Sequence, residues 1–158
     1  MSAVISIPSI IIERIKKEAE KQGISVEEYI IELLSRDLNP EDKAKEYIKA
    51  SLELLSQARD ELAKGNIRQA AEKTWGAVAL TIKAYAYWKD GRRLKSHRDL
   101  WEYKDKVADE LGGWVGRLFR EASGLHACFY EGWCTGRDIE EVIPEAEKLA
   151  KKIEETID

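Results

Sequence analysis

The sequence predicts a mainly all-α protein, an up-and-down bundle of four or five helices preceded by a short strand-helix-helix unit. Three observations predict this class. Apolar residues recur at helical spacing through most of the 158 residues. Turn residues such as Gly65-Asn66 separate these periodic segments. A β-branched run, residues 3–7, precedes Pro8. We therefore expect two parts, residues 1–38 and residues 40–158.

The sequence of the first part predicts one strand and two short helices. Residues 3–7 end at Pro8, as a strand does. The first helix carries its apolar residues on one face and ends at Gly23. Ser25 and Glu28 then form a capping-box pattern that starts the second helix. Because so few elements cannot enclose a core, we expect this unit to dimerise.

The first part also contains residues in the register of a known module: Ile5-Ser6-Ile7-Pro8, Ile11-Ile12-Glu13, Ala19, Gly23-Ile24-Ser25, Glu28, Ile30 and Leu34. The set resembles the ribbon-helix-helix module of CopG- and Arc-like proteins. In that family two strands pair into a ribbon that enters the DNA major groove. Here the ribbon would present Ser2, Val4 and Ser6, whereas base edges are best read by basic or amide side chains.

The net charge of this unit also bears on whether it binds DNA. Its five positive and seven negative side chains give a net charge of −2, which disfavours binding to a phosphate backbone. We therefore interpret the unit first as a dimerisation element of a homodimer. DNA binding through Ser2, Val4 and Ser6 is the alternative.

The second part predicts five helices joined by short turns. They cover residues 41–64, 67–88, 97–110, 114–133 and 144–156. Ser96 is the expected cap of the third helix, and Gly112-Gly113 breaks the chain before the fourth. Residues 138–142 are expected to form a turn, with Pro144 in the first turn of the last helix. Short connections between long helices predict antiparallel neighbours.

Composition limits the function classes. The net charge of −4 and pI near 5.4 argue against a generic binder of nucleic acid or anionic membranes, although a local basic patch remains possible. The sequence has no apolar run long enough for a membrane span and no signal-peptide pattern, so we expect a cytoplasmic protein.

The cysteines indicate no metal centre. Cys128 and Cys134 are six positions apart, and the chain has only two histidines, which disfavours a zinc site or a disulfide scaffold. We expect two free thiols in a reducing cytosol, with no metal and no cofactor.

Three segments of the second part form a moderately specific set: residues 66–77 with Lys83-Ala84, residues 96–100 and residues 125–132. Their order and spacing resemble the archaeal PaREP-type proteins, which are akin to HEPN helical domains, over about residues 42–155. HEPN domains are four- or five-helix bundles, commonly dimeric. Many are ribonucleases or toxins, and others bind partners without catalysis. The resemblance therefore implies a dimeric bundle connected with RNA or with a toxin-antitoxin pair.

Active HEPN proteins carry an Arg, four to six residues, then a His; Arg120 and His126 fit this pattern. The resemblance implies an imidazole that moves protons at RNA and a guanidinium that holds the scissile phosphate. Because side chains six positions apart on a helix point about 120° apart, two subunits would have to share the site. Tyr130, one turn on, is the candidate to orient His126. The alternative is a structural histidine, since His126 shares a stripe with Phe119 and Phe129.

The most concentrated positive charge is a basic segment made of Lys89, Arg92, Arg93, Lys95 and Arg98, with His97 beside it. Mixed bases at the start of a helix suit a phosphate or single-stranded RNA. Asp90 and Asp99 partly offset the charge, and a solvated turn is the alternative.

Two functions remain open. One is a dimeric HEPN-like module that binds RNA, a nucleotide or a protein partner. The other is a metal-independent endoribonuclease of toxin type that uses Arg120 and His126. A DNA-binding regulator acting through the N-terminal ribbon is a further alternative. The position of His126, in an open cleft or in the core, discriminates between the first two.

Overall fold

Residues 3–158, the part of the chain described in this computed structural model, contain seven α-helices. They are α1 (Ser9–Gln22), α2 (Val26–Leu34), α3 (Pro40–Ala63), α4 (Ile67–Asp90), α5 (His97–Leu111), α6 (Trp114–Glu131) and α7 (Gly136–Ile157). The all-α prediction is confirmed, and α3 to α7 form the predicted helical bundle.

The strand predicted over residues 3–7 is wrong. Residues 3–8 have no regular secondary structure, and the side chains of Val4 and Ile5 are exposed. A β-branched run becomes a strand only when a second strand supplies hydrogen bonds, and residues 3–158 contain none. Val4 and Ser6 therefore do not lie on a ribbon in this chain, and Ser2 lies outside the described residues.

The predicted end of the first helix at Gly23 and the predicted start of the second at Ser25 are confirmed. Gly23 ends α1 in the left-handed conformation, with φ at 67°. The Ser25 hydroxyl accepts a hydrogen bond from the backbone N–H of Glu28 at 3.1 Å and so caps α2. The carboxylate of Glu28 does not return to the helix start, as a full capping box requires. It is buried and pairs with Lys83 of α4, which ties the first part to the bundle.

The bundle is built around α4, which packs against α3, α5, α6 and α7. Small side chains such as Ala70, Ala71 and Ala77 are fully buried along this helix and allow the close approach of its neighbours. Two polar side chains inside the bundle satisfy each other, since the hydroxyls of Ser51 and Thr81 are 2.7 Å apart. Burial of this apolar surface is the main source of stability.

The last helix starts earlier than predicted. Thr135 and Asp138 form a capping box in which the Asp138 carboxylate accepts a hydrogen bond from the backbone N–H of Thr135 at 2.8 Å, and α7 runs from Gly136 through the predicted turn at 138–142. Pro144 lies inside the helix instead of at its start. The proline removes only the hydrogen bond to the carbonyl four residues earlier, while buried side chains such as Ile139 and Ile143 favour an uninterrupted helix.

The two cysteines form a disulfide, so the prediction of free thiols is wrong. Cys128 is fully buried in the last turn of α6. Gly132 ends that helix with φ at 71°, a conformation that turns the chain back. Cys134 is thereby brought to Cys128 with the two Cα atoms 5.5 Å apart, a spacing that suits a disulfide.

Candidate functional site

His126 of α6 is bonded to a carboxylate of α4. Its Nδ1 lies 2.9 Å from Oε2 of Glu72. A carboxylate only accepts, so the Nδ1–H tautomer donates this bond and Nε2 remains for another partner. The His126 side chain is 28% exposed and is therefore neither sealed in the core nor free in solvent.

The second histidine of the chain lies against the first. His97 is the opening residue of α5, where the Ser96 hydroxyl accepts a hydrogen bond from the backbone N–H of Asp99 at 3.1 Å. The cap predicted at Ser96 is thus confirmed. The imidazole of His97 stacks on that of His126, with ring centroids 5.6 Å apart. Sequence reasoning assigned these histidines to two different sites, and the structure brings them together.

The surroundings of His97 favour its neutral form. Partial burial lowers the pKa of this imidazole, and the charges of His126 and Lys83 lower it further. Glu72 acts in the opposite direction with a smaller effect. A neutral imidazole at neutral pH can accept a proton or a hydrogen bond from a bound group.

Aromatic rings surround the two imidazoles. Trp75 of α4 is buried and lies parallel to His97 at 6.0 Å between centroids, and its ring is also 5.7 Å from that of His126. Tyr130 meets His126 edge to face at 5.3 Å and is 67% exposed. Its ring, and not a hydrogen bond from its hydroxyl, is the contact with His126. We call the group of Glu72, Trp75, His97, His126 and Tyr130 the two-histidine surface.

Arg120 does not reach this surface. Its guanidinium lies beside Gly116, and it forms no hydrogen bond or ion pair with residues 3–158. Gly116 precedes His126 by ten positions, about 15 Å along a helix axis. Arg120 and His126 are therefore not brought together within one chain.

The structure divides the basic segment. Four of its cations are paired: Lys89 with Glu110, Arg92 with Asp99, Arg93 with Glu32, and Arg98 with Glu102. Lys95 forms no ion pair within residues 3–158. Arg93 and Lys95 line a cavity next to α2, whereas His97 belongs to the two-histidine surface. The segment is not one continuous patch.

Sequence reasoning missed two members of the surface, Glu72 and Trp75. Both precede His126 by about fifty positions, and a tryptophan at helical spacing is an ordinary core residue. Their spacing of three residues does place them on one face of α4, next to each other. The sequence of that face does not indicate that the imidazole of His126 packs against it.

Among residues 3–158, no three His, Cys, Asp or Glu side chains are grouped so that they could hold a metal ion. None of the helices formed by these residues is long and apolar enough to cross a membrane.

The fold and the site define a helical-bundle protein with a carboxylate-bonded histidine pair set among aromatic rings. The model of the archaeal PaREP1/PaREP8 family matches residues 46–150, about two thirds of the chain. The chain belongs to this family. The match contains every member of the two-histidine surface and excludes α1 and α2. No curated protein matches the chain, and no solved structure does.

Proposed function

We propose that the chain binds single-stranded RNA at the two-histidine surface. The observation that carries the proposal is the grouping of two imidazoles with an exposed Tyr130 ring on one side of the bundle. Proteins hold single strands by stacking bases on such rings, because every base has a π-face. The net charge of −4 means that stacking, more than general electrostatics, supplies the affinity.

A cation next to the two-histidine surface would contact the RNA phosphates. Arg98 follows His97 directly, and its side chain is 86% exposed. Its partner Glu102 is also exposed, and exposed ion pairs contribute little free energy, so a phosphate can replace that carboxylate at low cost.

The stacking role is tested with Tyr130→Ala and a labelled single-stranded RNA in a fluorescence titration. Loss of the ring should weaken binding about tenfold or more, the effect expected for one stacked base. Tyr130→Phe keeps the ring and should bind as the wild type does. Wild-type protein that fails to bind, or equal affinity for both variants, would contradict the proposal.

The phosphate role has a matched control. Arg98 and Arg137 are about equally exposed, and each pairs with a glutamate four positions on. Arg98→Gln should lower RNA affinity and flatten its dependence on salt, whereas Arg137→Gln should change neither. An equal effect of both variants would indicate general charge attraction instead of a defined surface.

A second candidate function, RNA cleavage without a metal, is favoured by the Glu72–His126–His97 arrangement. In this reaction neutral His97 takes the proton of a ribose 2′-hydroxyl, and the oxygen attacks phosphorus. The bond from phosphorus to the 5′-oxygen breaks as protonated His126 gives that oxygen its proton. Glu72 orients His126 and stabilises its imidazolium. The products are a 2′,3′-cyclic phosphate and a 5′-hydroxyl.

The cleavage candidate is tested by incubating RNA with the protein in the presence of a chelator. His97→Ala and His126→Ala should each lower the rate about a hundredfold or more, and Glu72→Gln should lower it less. If only His126→Ala matters, the two-subunit arrangement with Arg120 replaces the one proposed here. Activity that survives both histidine changes excludes this mechanism.

We also propose that the chain forms a homodimer through an apolar front surface. Its exposed side chains are Val4, Ile5, Ile7, Ile10, Ile11 and Leu34. Five of these six side chains lie within residues 4–11, and exposed apolar side chains concentrated in so short a stretch mark an interface. A second copy is the proposed occupant because two identical surfaces in contact would bury twelve such side chains, each worth about 1.5–3 kcal/mol when fully covered.

A further inference from the structure

A second site lies where the first part meets the bundle. A cavity of about 430 Å³ opens between α1–α2 on one side and α3, α4 and residues 93–95 on the other. This volume falls within the range of small-molecule sites. The cavity is not part of the two-histidine surface, since neither histidine lines it.

The charges that line this cavity are unbalanced. Its cationic side chains are Lys21, Arg36, Lys43, Lys83, Arg93 and Lys95, whereas Glu32 is its lining carboxylate. Carboxylates already pair with Lys21, Lys83 and Arg93. Arg36, Lys43 and Lys95 form no ion pair with residues 3–158. A concave surface with three uncompensated cations, in a chain of net charge −4, favours an anionic ligand.

A buried phenol also lines this cavity. Tyr47 of α3 has none of its surface exposed, and its hydroxyl has no hydrogen-bond partner within residues 3–158. Burial raises the pKa of that hydroxyl, and Glu32 and Tyr87 raise it further, but the Tyr87 hydroxyl does not form a hydrogen bond of normal geometry with it. Leaving a buried hydroxyl unpaired is costly, so its retention at a cavity wall points to a partner that binds there.

Aromatic rings supply the remaining wall. Tyr29 and Tyr87 line the cavity, and the ammonium of Lys43 lies 5.4 Å from the centre of the Tyr87 ring. Rings beside cations suit a ligand with a flat organic part and an anionic end.

We propose that this cavity binds a phosphorylated small molecule of nucleotide size. Arg36, Lys43 and Lys95 would neutralise the phosphate, the Tyr47 hydroxyl would donate a hydrogen bond to the ligand, and the tyrosine rings would contact its flat part. The proposal does not rest on RNA binding at the two-histidine surface.

The test is isothermal titration of the full chain with AMP, adenosine and inorganic phosphate. We expect AMP to bind, and adenosine to bind at least tenfold more weakly, because it lacks the charge that the cations attract. Phosphate that binds as tightly as AMP would assign the site to the phosphate group alone and would overturn nucleotide size. Absence of AMP binding at millimolar concentration, or equal affinity for AMP and adenosine, overturns the proposal.

Two variants locate the site. Lys43→Gln should weaken AMP binding about tenfold, whereas Lys49→Gln, an exposed position on the same helix outside the cavity, should not. Tyr47→Phe should also weaken binding while leaving the unliganded protein as stable as before, because the lost hydroxyl has no partner to leave behind. Equal effects of both lysine changes, or AMP binding that is lost in His97→Ala, would place the ligand elsewhere and contradict the assignment.

Discussion

The α1–α2 unit and the α3–α7 bundle distribute their apolar side chains in opposite ways. In the bundle, large side chains such as Phe119, Leu80 and Ile153 are fully buried. In α1 the buried residue is Ala19, and in α2 it is a carboxylate, Glu28. The bundle is thus held together by its own apolar core, whereas the front unit is attached to it by buried and exposed ion pairs as well as by the packing of Ile31 on that core.

This difference explains how one chain can present so much apolar surface. The Glu28–Lys83 pair, the bond from Arg93 to Glu32 at 2.8 Å and the packing of Ile31 on the core fix the front unit to the bundle. Ile5, Ile10 and Ile11 take no part in this attachment and remain exposed. The comparison teaches that the two parts are stabilised by different interactions and should respond differently to mutation, pH and reduction.

The largest expected effect is on association. Ile10→Glu places a charge in the apolar front surface and should raise the dimer dissociation constant about a hundredfold or more, since the residue is lost from both copies. Light scattering over a range of concentrations measures the mass. Ser56→Glu adds the same charge to an exposed position of α3 and should leave the mass unchanged. A wild-type protein that is monomeric at every concentration would remove the basis of the homodimer proposal.

The next effect is on the junction between the two parts. Lys83→Met leaves the Glu28 carboxylate buried without its partner, which should cost about 3–5 kcal/mol of unfolding free energy. Urea denaturation measures the loss. The double change Glu28→Leu with Lys83→Met should recover much of it, because two apolar side chains need no ion pair. A double variant as unstable as the single one would show that the charge is not the cause.

The same junction should depend on pH. Burial raises the pKa of Glu28 above 4.5, its ordinary value, and Lys83 opposes that shift. In Lys83→Met the opposing effect is gone, so the folded state should take up a proton more readily than the unfolded state. The stability lost through the mutation should therefore be smaller at pH 5 than at pH 8. An equal loss at both values would contradict the buried ionised carboxylate.

A smaller effect is expected from the disulfide, which belongs to the bundle alone. Reduction opens a short loop between Cys128 and Cys134 and should lower the unfolding free energy by about 2 kcal/mol. Thermal unfolding with and without a thiol reductant measures this. Cys134→Ser should unfold at the same temperature in both conditions. Dimerisation through the front surface should survive reduction, and its loss would show that the two parts are coupled.

The smallest effect is expected at the caps. Ser96→Ala removes the acceptor at the start of α5 and should cost about 1 kcal/mol, and it should also weaken RNA binding because His97 is the next residue. Asn39→Ala removes the equivalent acceptor at the start of α3, at 2.9 Å from the backbone nitrogen of Asp42. It should cost a similar amount with no change in RNA affinity. Equal RNA affinity in both variants would separate the cap from the site.

Local patterns predicted much of this fold. The apolar periodicity and the caps at Ser25 and Ser96 located α1 to α6, because these signals act within a few residues. The predicted strand over residues 3–7 does not form because it needs a second strand to supply its hydrogen bonds, and a local pattern does not show whether one is present. The predicted start of α7 was wrong because proline favours the first turn of a helix, whereas the capping box of Thr135 and Asp138 starts this helix earlier.

The site was less predictable because its contacts are long-range. His126 was found from a motif, but Glu72 is 54 positions away and His97 is 29 positions away. The disulfide depends on the turn at Gly132, and the Glu28–Lys83 pair joins residues 55 apart. Such pairs arise from the packing of helices. Local sequence patterns do not reveal which individual side chains this packing brings into contact.

Lys83 joins two properties of the molecule that are otherwise separate. It lines the basic cavity, and its charge also lowers the pKa of His97. An anion bound in the cavity would offset part of that charge and make His97 a better proton acceptor. By thermodynamic reciprocity, protonation of His97 would tighten binding of the anion by the same factor. Ligand binding in the cavity would then be accompanied by proton uptake, and Lys83 would transmit the effect between the two sites.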